Sequence, residues 1–328
     1  MIGRTVNTVK PRVLSAWRAC IQLLSTNKIR VGLFERVLRA LLLILPFSLV
    51  VWPLQLRSAL RGPVPVSGMT RDGIKVCCRL PDFVQTYIYL FGIWEPDLVA
   101  YLRRRLQPGD TLIDVGAHIG YVSTLASRLV GPDGTVVAIE PFPEVLASLE
   151  QTLSSNCLSN VRVIAAAVSD REDQVPLFAA RGNSGLTTTV ARRGFREEYL
   201  VRAAPLASLV TREELETARV IKIDVEGAED RVLASLIEDI DTLDVDVDLI
   251  VELSPTWWSE SNLRPIDVLR PFFNRGFHLY ELPNDYAPWR YLWPNDVRAP
   301  RRVRDLDRLE RRVKRLDAVL SRRDVDSL

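Results

Sequence analysis

Through the middle of the chain, short apolar runs alternate with longer stretches of helical periodicity. The runs lie within Thr111–Tyr121, Gly134–Glu140, Asn160–Asp170, Val220–Glu229 and Asp248–Glu252. Runs of this length and β-branched content, bounded by turn residues, predict strands buried on both faces. Strands separated by helix-length segments predict an α/β fold with a mostly parallel, doubly wound sheet. Asp72-Gly73-Ile74-Lys75-Val76 predicts a hairpin turn and strand, and Phe277–Leu282 a late strand that finishes the sheet. The aromatic-rich Val84–Phe91 is read as a cover for the site. Residues 301–328 are charged, with Leu306, Leu309, Val313, Leu316 and Leu320 at 3,4 spacing. That pattern predicts a C-terminal helix with a two-heptad apolar seam, suited to self-association through residues 303–320.

Chemistry gathers where the apolar runs end. The first ends in Asp114-Val115-Gly116-Ala117-His118-Ile119-Gly120-Tyr121, an acid followed by two glycines four residues apart. This reads as strand, tight turn and helix start, with the glycines admitting a ligand to the backbone. The spacing differs from the G-x-G-x-x-G of dinucleotide binders. A carboxylate at a strand tip suits a ligand with a cationic amino-acid end, so the turn favours S-adenosylmethionine over NAD. Glu140 ends the next run, about where a ribose-binding acid belongs. After the third run the candidates beside an adenine are Ser169 and Asp170, and that contact stays unassigned. The fourth run is crossed by Lys222 and ends in Asp224-Val225-Glu226-Gly227-Ala228-Glu229. Acids this dense at the end of a buried strand are costly unless paired or in a wet cleft. Glu229, in the first turn of the next helix, also suits the helix dipole.

These strings resemble the FkbM-type S-adenosylmethionine-dependent methyltransferases. The resemblance rests on Asp114–Tyr121, Ile139-Glu140-Pro141, Ala167-Val168-Ser169-Asp170 and Ile221–Glu229, in matching order, with Trp94-Glu95-Pro96 and Asn183-Ser184-Gly185-Leu186 as further shared features. It covers about residues 73–285. It implies a class I methyltransferase (Rossmann-like) fold and O-methylation of hydroxyls on sugars or secondary metabolites. It also implies a cofactor site at Asp114, Gly116, Ala117, His118, Gly120, Tyr121, Glu140 and Pro141. Two positions depart from the family pattern: Leu206-Ala207-Ser208-Leu209 stands where a Leu-Asp pair is common, and His118 where asparagine is commoner. Methyl transfer to a hydroxyl needs a base. Asp224 is the first candidate and Glu226 the second, while Glu252 and Trp257 are candidates for contacting a small-molecule, glycan or glycolipid acceptor. The acid cluster is compatible with a divalent metal, but the spacing specifies none. NAD-dependent oxidoreduction would need the other glycine spacing, and a non-catalytic scaffold would not need Asp114, Glu140 and Asp224 together.

Composition adds compartment and partners. With 328 residues, 47% hydrophobic, the chain can bury one large core with appendages. A net charge of +2 gives no case for nucleic acid. Cys20, Cys77, Cys78 and Cys157 have no metal-ligand spacing, which favours reduced thiols and a cytoplasmic protein. Residues 1–39 are basic, and the uncharged run Ala40–Leu56, interrupted by Pro46 and Pro53, is at the short limit for a membrane span. It lies too far along the chain for an ordinary signal peptide. With basic residues held inside, a span would put the remainder of the chain on the side lacking S-adenosylmethionine. A membrane-surface or re-entrant anchor, or a hydrophobic helix packed on the core, is therefore expected. The predicted divisions are a helical extension over residues 1–62, a methyltransferase domain over 63–300 and the helix over 301–328.

Overall fold

The computed structural model describes residues 11–180, 183–260, 262–310 and 313–328. Arg4 and Lys10 of the basic N-terminal run, and Arg311 and Arg312 of the expected C-terminal helix, lie outside them. The chain forms two compact units, Met1–Pro96 with Asp285–Val297, and Asp97–Asn284 with Arg298–Leu328. These differ from the divisions expected at residues 62 and 300, because segments distant in sequence pack together in each unit.

In the first unit, α1 (Pro11–Leu24) and α2 (Leu33–Arg61) precede a hairpin of β1 (Val64–Met69) and β2 (Lys75–Leu80). The hairpin turn is the expected one, with the Gly73 N–H donating to Thr70 O at 3.0 Å. Asp82 caps α3 (Phe83–Phe91) by accepting from the Gln85 N–H, 3.0 Å away. The aromatic run expected to cover the site is the core of this unit instead. Tyr87 and Phe91 are buried, with Phe47 of α2 edge-on to Tyr87 at 5.9 Å and Tyr291 at 4.8 Å. Large rings gain most from complete burial, and here they have one another as neighbours.

The second unit opens one residue into α4 (Pro96–Arg105), followed by β3 (Thr111–Val115), α5 (Tyr121–Val130), β4 (Thr135–Ile139), α6 (Pro143–Ser155) and β5 (Val161–Ile164). The third apolar run is broken: β5 stays in the main sheet, and after Ala165-Ala166 the chain enters a second sheet as β6 (Ala167–Val168). That sheet adds β7 (Asp173–Ala180), β8 (Asn183–Thr188) and β9 (Phe195–Ala204) in the order β6-β9-β7-β8. The stretch Leu206–Leu209 is a short helix, α7, and α8 (Arg212–Glu216) has a Thr211–Glu214 capping box. Then follow β10 (Ala218–Ile223), α9 (Glu229–Glu238), β11 (Asp248–Leu253), α10 (Pro265–Phe273), β12 (His278–Glu281), β13 (Arg301–Arg302) and β14 (Leu316–Ser321).

Among the described residues the main sheet has the order β13-β12-β14-β11-β10-β3-β4-β5. Strands β5, β4, β3, β10 and β11 are mutually parallel, and β14 runs antiparallel between β11 and β12. This is the class I methyltransferase arrangement that the resemblance implied. From β3 the chain steps outward through β4 and β5, then returns to the other side of β3 as β10. The order therefore reverses between β3 and β10, and the carboxyl ends of those strands form the switch-point crevice where α/β sheets bind ligands. Ile113, Val137, Ile221 and Leu249 pack with α9 and α10 on one face, while Ala138 meets Leu149 and Leu153 of α6 on the other.

The expected C-terminal helix is absent among the described residues, and its second half is strand β14. Leucines four apart share a face in both a helix and a strand, so Leu316 and Leu320 satisfy either period. Pairing decides: β14 fills the gap between β11 and β12, in register from Asp248↔Ser321 to Leu253↔Leu316. Leu309, Leu316 and Leu320 are buried in the main core, so the seam assigned to self-association is internal.

Candidate functional site

The turn after β3 is built from backbone constraints. Gly116 has φ +83°, and a Cβ there would lie 1.8 Å from the carbonyl oxygen of Asp224. Gly120, with φ +80°, opens α5, and a Cβ there would meet Leu149 Cδ1 at 2.4 Å. Both glycines are thus required first by neighbouring chain, which revises the expectation that a ligand needs them. The Gly116 and Ala117 N–H groups donate to Ile139 O at 2.9 and 3.0 Å, and the Asp224 N–H donates to Val115 O at 3.0 Å. His118 adopts φ +50°, and its N–H donates to Glu140 Oε2 at 2.9 Å. Glu140 Oε1 accepts from the Phe142 N–H at 2.9 Å, spanning half-buried Pro141. Burial pushes the Glu140 carboxyl up to about 7, against the pull of these two N–H groups. Tyr121 is the first residue of α5 and is buried.

Asp114 and Asp224 share one cation. Lys222 Nζ lies 3.0 Å from Asp224 Oδ2 and 3.5 Å from Asp114 Oδ1, and the Ser123 hydroxyl donates to Asp114 Oδ2 at 2.6 Å. Asp114 is fully buried, and among the described residues its Oδ1 accepts no hydrogen bond. Desolvation raises its affinity for a proton, with Lys222 and Ser123 opposing. For Asp224 the balance falls the other way. Burial pushes its carboxyl up, but the Lys222 charge and hydrogen bond, aided by Arg315, hold it below the usual carboxylate range.

Beyond Lys222 lie three acids. One carboxylate oxygen each of Asp224, Glu226 and Glu252 falls within 4.8 Å of the others. Burial, then the charges of Asp224 and Glu229, push Glu226 up to about 8. Glu252 is raised well above its ordinary value by burial and by Asp224, although the Arg315 guanidinium donates to its Oε2. Arg315 also donates to Asp317 Oδ1 at 3.2 Å. Like charges this close cannot all ionise, so the cluster holds protons near neutral pH. These oxygens form a donor set of the kind a divalent cation takes, but Lys222 and Arg315 already bring positive charge to Asp224 and Glu252.

Glu229 is a structural acid. It is buried and accepts from the Gly227 N–H at 2.6 Å, the Trp258 indole N–H at 2.7 Å and the Ser254 N–H at 3.4 Å. It thereby ties the acid-bearing turn after β10 to the segment after β11. Of the adjacent tryptophans, Trp258 is core. Trp257 is half-buried, with the Arg192 guanidinium 3.9 Å from its ring centroid and Phe195 edge-on at 5.8 Å. Asp114, Gly116, Ala117, His118, Gly120, Tyr121, Glu140 and Pro141 thus form one turn system, and Asp224 joins it to Glu226 and Glu252. Sequence reading gave no role to Lys222 or Arg315. A lysine inside a β-branched run was a signal, since a buried ammonium requires partners. Arg315 was hidden by its place in the supposed helix.

The arrangement fits S-adenosylmethionine. The buried Asp114 Oδ1 is an acceptor suited to an ammonium group. Each Glu140 oxygen accepts one N–H and keeps a further lone pair for a ribose hydroxyl. The Methyltransferase FkbM domain matches residues 114–279, half of the chain. A protein-L-isoaspartate O-methyltransferase of Ignicoccus hospitalis is 35% identical over 74 residues, 22% of this chain and 35% of that protein. An arsenite methyltransferase of Halobacterium salinarum is 34% identical over 56 residues, 17% of this chain and 14% of that protein. The chain thus spans about a third or less of these curated relatives. Among solved structures, methyltransferase FkbM from Methylobacillus flagellatus KT superposes with a TM-score of 0.38 at 16% identity, over 58% of this chain and 48% of that one. The domain match spans the β3 turn, Glu140 and the Lys222–Glu229 acids, and the chain belongs to the FkbM family of S-adenosylmethionine-dependent methyltransferases.

Proposed function

We propose that the protein methylates a hydroxyl oxygen on a sugar, a glycan or glycolipid, or a secondary metabolite. The observation that carries this reading is the cation-linked chain Asp114–Lys222–Asp224, which runs from the cofactor turn into three carboxylates within 4.8 Å of one another. When bound, S-adenosylmethionine supplies a methyl group already activated by its sulfonium. Asp114 would hold the ligand's ammonium, and Glu140 would accept hydrogen bonds from its ribose hydroxyls. The backbone of Gly116, Ala117, His118 and Gly120, with Tyr121 and Pro141, shapes the turn around them. What remains for the protein is to orient the acceptor, exclude water and take up the hydroxyl proton.

Asp224 is the ionised carboxylate of the cluster and the proton acceptor, and Glu226 is the second candidate, able to act as a base once pH rises toward about 8. A proton reaching the cluster is shared among Asp224, Glu226 and Glu252, which lowers the cost of holding it. Glu252 also hydrogen-bonds acceptor hydroxyls. Trp257 offers the acceptor the ring surface that Arg192 leaves uncovered. A hydroxyl acceptor suits this site because its proton is lost as the methyl arrives, and a half-buried carboxylate cluster supplies a place for it. We assign the protein to the cytoplasm, where S-adenosylmethionine is available, and leave nucleic acid out of its partners.

Two measurements test this. Calorimetric titration with S-adenosylmethionine and S-adenosylhomocysteine should show binding of both, and lack of binding would overturn the cofactor assignment. Labelled methyl transfer to cell extracts, sorted into glycan, lipid and small-molecule fractions, should yield alkali-stable label, as an ether carries. Label released as methanol by mild base would mark a carboxyl acceptor and overturn the hydroxyl reading.

A further inference from the structure

The outer side of α2 is an unbroken apolar strip. Phe34, Leu41, Leu45, Leu49, Trp52 and Leu56 recur at helical spacing on one side and are between 48% and 81% exposed. From Phe34 to Leu56 the strip is about 33 Å long at helical rise. The opposite side is already used. Leu43, Val50 and Leu54 are buried, and Phe47 packs on Tyr87 and Phe91. The helix is also fixed near its start by the ion pair of Arg36 with Asp296 and by the Arg39 guanidinium, which donates to Leu24 O of α1. A soluble monomer rarely leaves so long an apolar strip in water.

The charge around the strip selects what covers it. Residues 11–61 carry eight Lys or Arg against one acid, Glu35. Arg57 and Arg61 stand at the far end of α2, where the apolar strip closes. Basic residues on the side of a helix away from its exposed apolar face, with a large aromatic on that face, are the composition of a helix lying in a membrane interface. We propose that the outer face of α2 docks on an anionic lipid bilayer, with the helix in the plane of the headgroup–acyl boundary. Its inner face stays on the first unit, so the helix lies on the membrane and does not cross it. This holds whatever acceptor the enzyme uses.

The test is flotation of the full chain with vesicles of phosphatidylcholine alone and with phosphatidylglycerol added. The protein should float with the anionic vesicles, less so as salt rises, and should be released by alkaline carbonate. Leu45→Glu with Trp52→Glu should weaken partitioning by about ten-fold or more. Arg57→Gln and Arg61→Gln should each weaken it about five-fold on anionic vesicles and leave neutral ones unaffected. Circular dichroism and the melting temperature check that each variant folds, and Leu45→Gln with Trp52→Gln replaces the glutamate pair if it does not. Failure to float would overturn the proposal, as would unchanged partitioning of the strip variants. Carbonate-resistant retention would mark a span and overturn it too. So would a dimer, formed without vesicles, that Leu45→Glu with Trp52→Glu dissociates, since a second copy would then be the occupant.

Discussion

Lys222 is the residue on which the site's electrostatics turn. With its side chain 7% exposed, it faces Asp114 on one side and Asp224 on the other. Lys222→Met would leave the buried Asp114 and the half-buried Asp224 without the cation between them. Removing one partner of a buried pair costs about 3–5 kcal/mol, and Asp114 can relieve part of that by taking a proton. We expect a loss of about 3 kcal/mol in denaturant unfolding at pH 8, smaller at pH 5, where protonation is easier. A loss independent of pH would argue against this ion pairing. Asp224→Asn should lower turnover by about 10²–10⁴, the usual contribution of a positioned base. It also removes the charge that, after burial, most raises Glu226. The pH dependence of the residual activity should therefore move below the value of about 8 that Glu226 has in the intact site. A limb left in place would show that Glu226 is not the group being titrated.

At the scale of elements, the turn glycines separate two kinds of constraint. At Gly116 the obstacle to a Cβ is the Asp224 carbonyl, backbone that cannot move without shifting β10 relative to β3. At Gly120 it is the tip of Leu149, a side chain with other rotamers. Both positions have positive φ, which adds about 1–3 kcal/mol of strain for an ordinary residue. Gly116→Ala should thus cost more than about 4 kcal/mol and displace Asp224, while Gly120→Ala should cost about 2–3 kcal/mol. Comparable melting temperatures for the two would refute the distinction. The same elements show what could be read from sequence. Strands β3, β4, β10 and β11 were legible because continuous apolar runs ending in acids have few other uses. The 3,4 spacing of Leu306–Leu320 was not decisive, since strand β14 reuses its leucines at an even period. The aromatic run of α3 was placed wrongly because burial among Phe47, Tyr87 and Tyr291 joins segments far apart in sequence. The roles of Glu229 and Arg315 depend on such long-range contacts as well.

For the molecule as a whole, the buried acids set the direction in which stability changes with pH. Glu140 and Glu229 are held at about 7 and Glu226 at about 8, in each case chiefly by burial. Their unfolded values lie near 4.5, so the native state binds protons more tightly than the unfolded chain. The stability this gives is fully present below pH 4.5 and is lost as pH rises through 7 to 8. Carboxylates held low, such as Asp224 and Glu214, contribute the opposite way, but only where pH falls through their depressed values, below about 4. Between pH 5 and pH 8 the raised group dominates. For Glu140 and Glu229, both almost wholly inaccessible, the shift corresponds to on the order of 3 kcal/mol each. The melting temperature should therefore fall from pH 5 to pH 8. Glu140→Gln with Glu229→Gln should flatten that slope, even though the lost hydrogen bonds lower stability throughout. A melting temperature that rises over the same interval would mean that these acids ionise in the native state as easily as in water. Glu229 would then be a solvated end-of-helix charge, and the tie between the acid turn and Trp258 would fail with it.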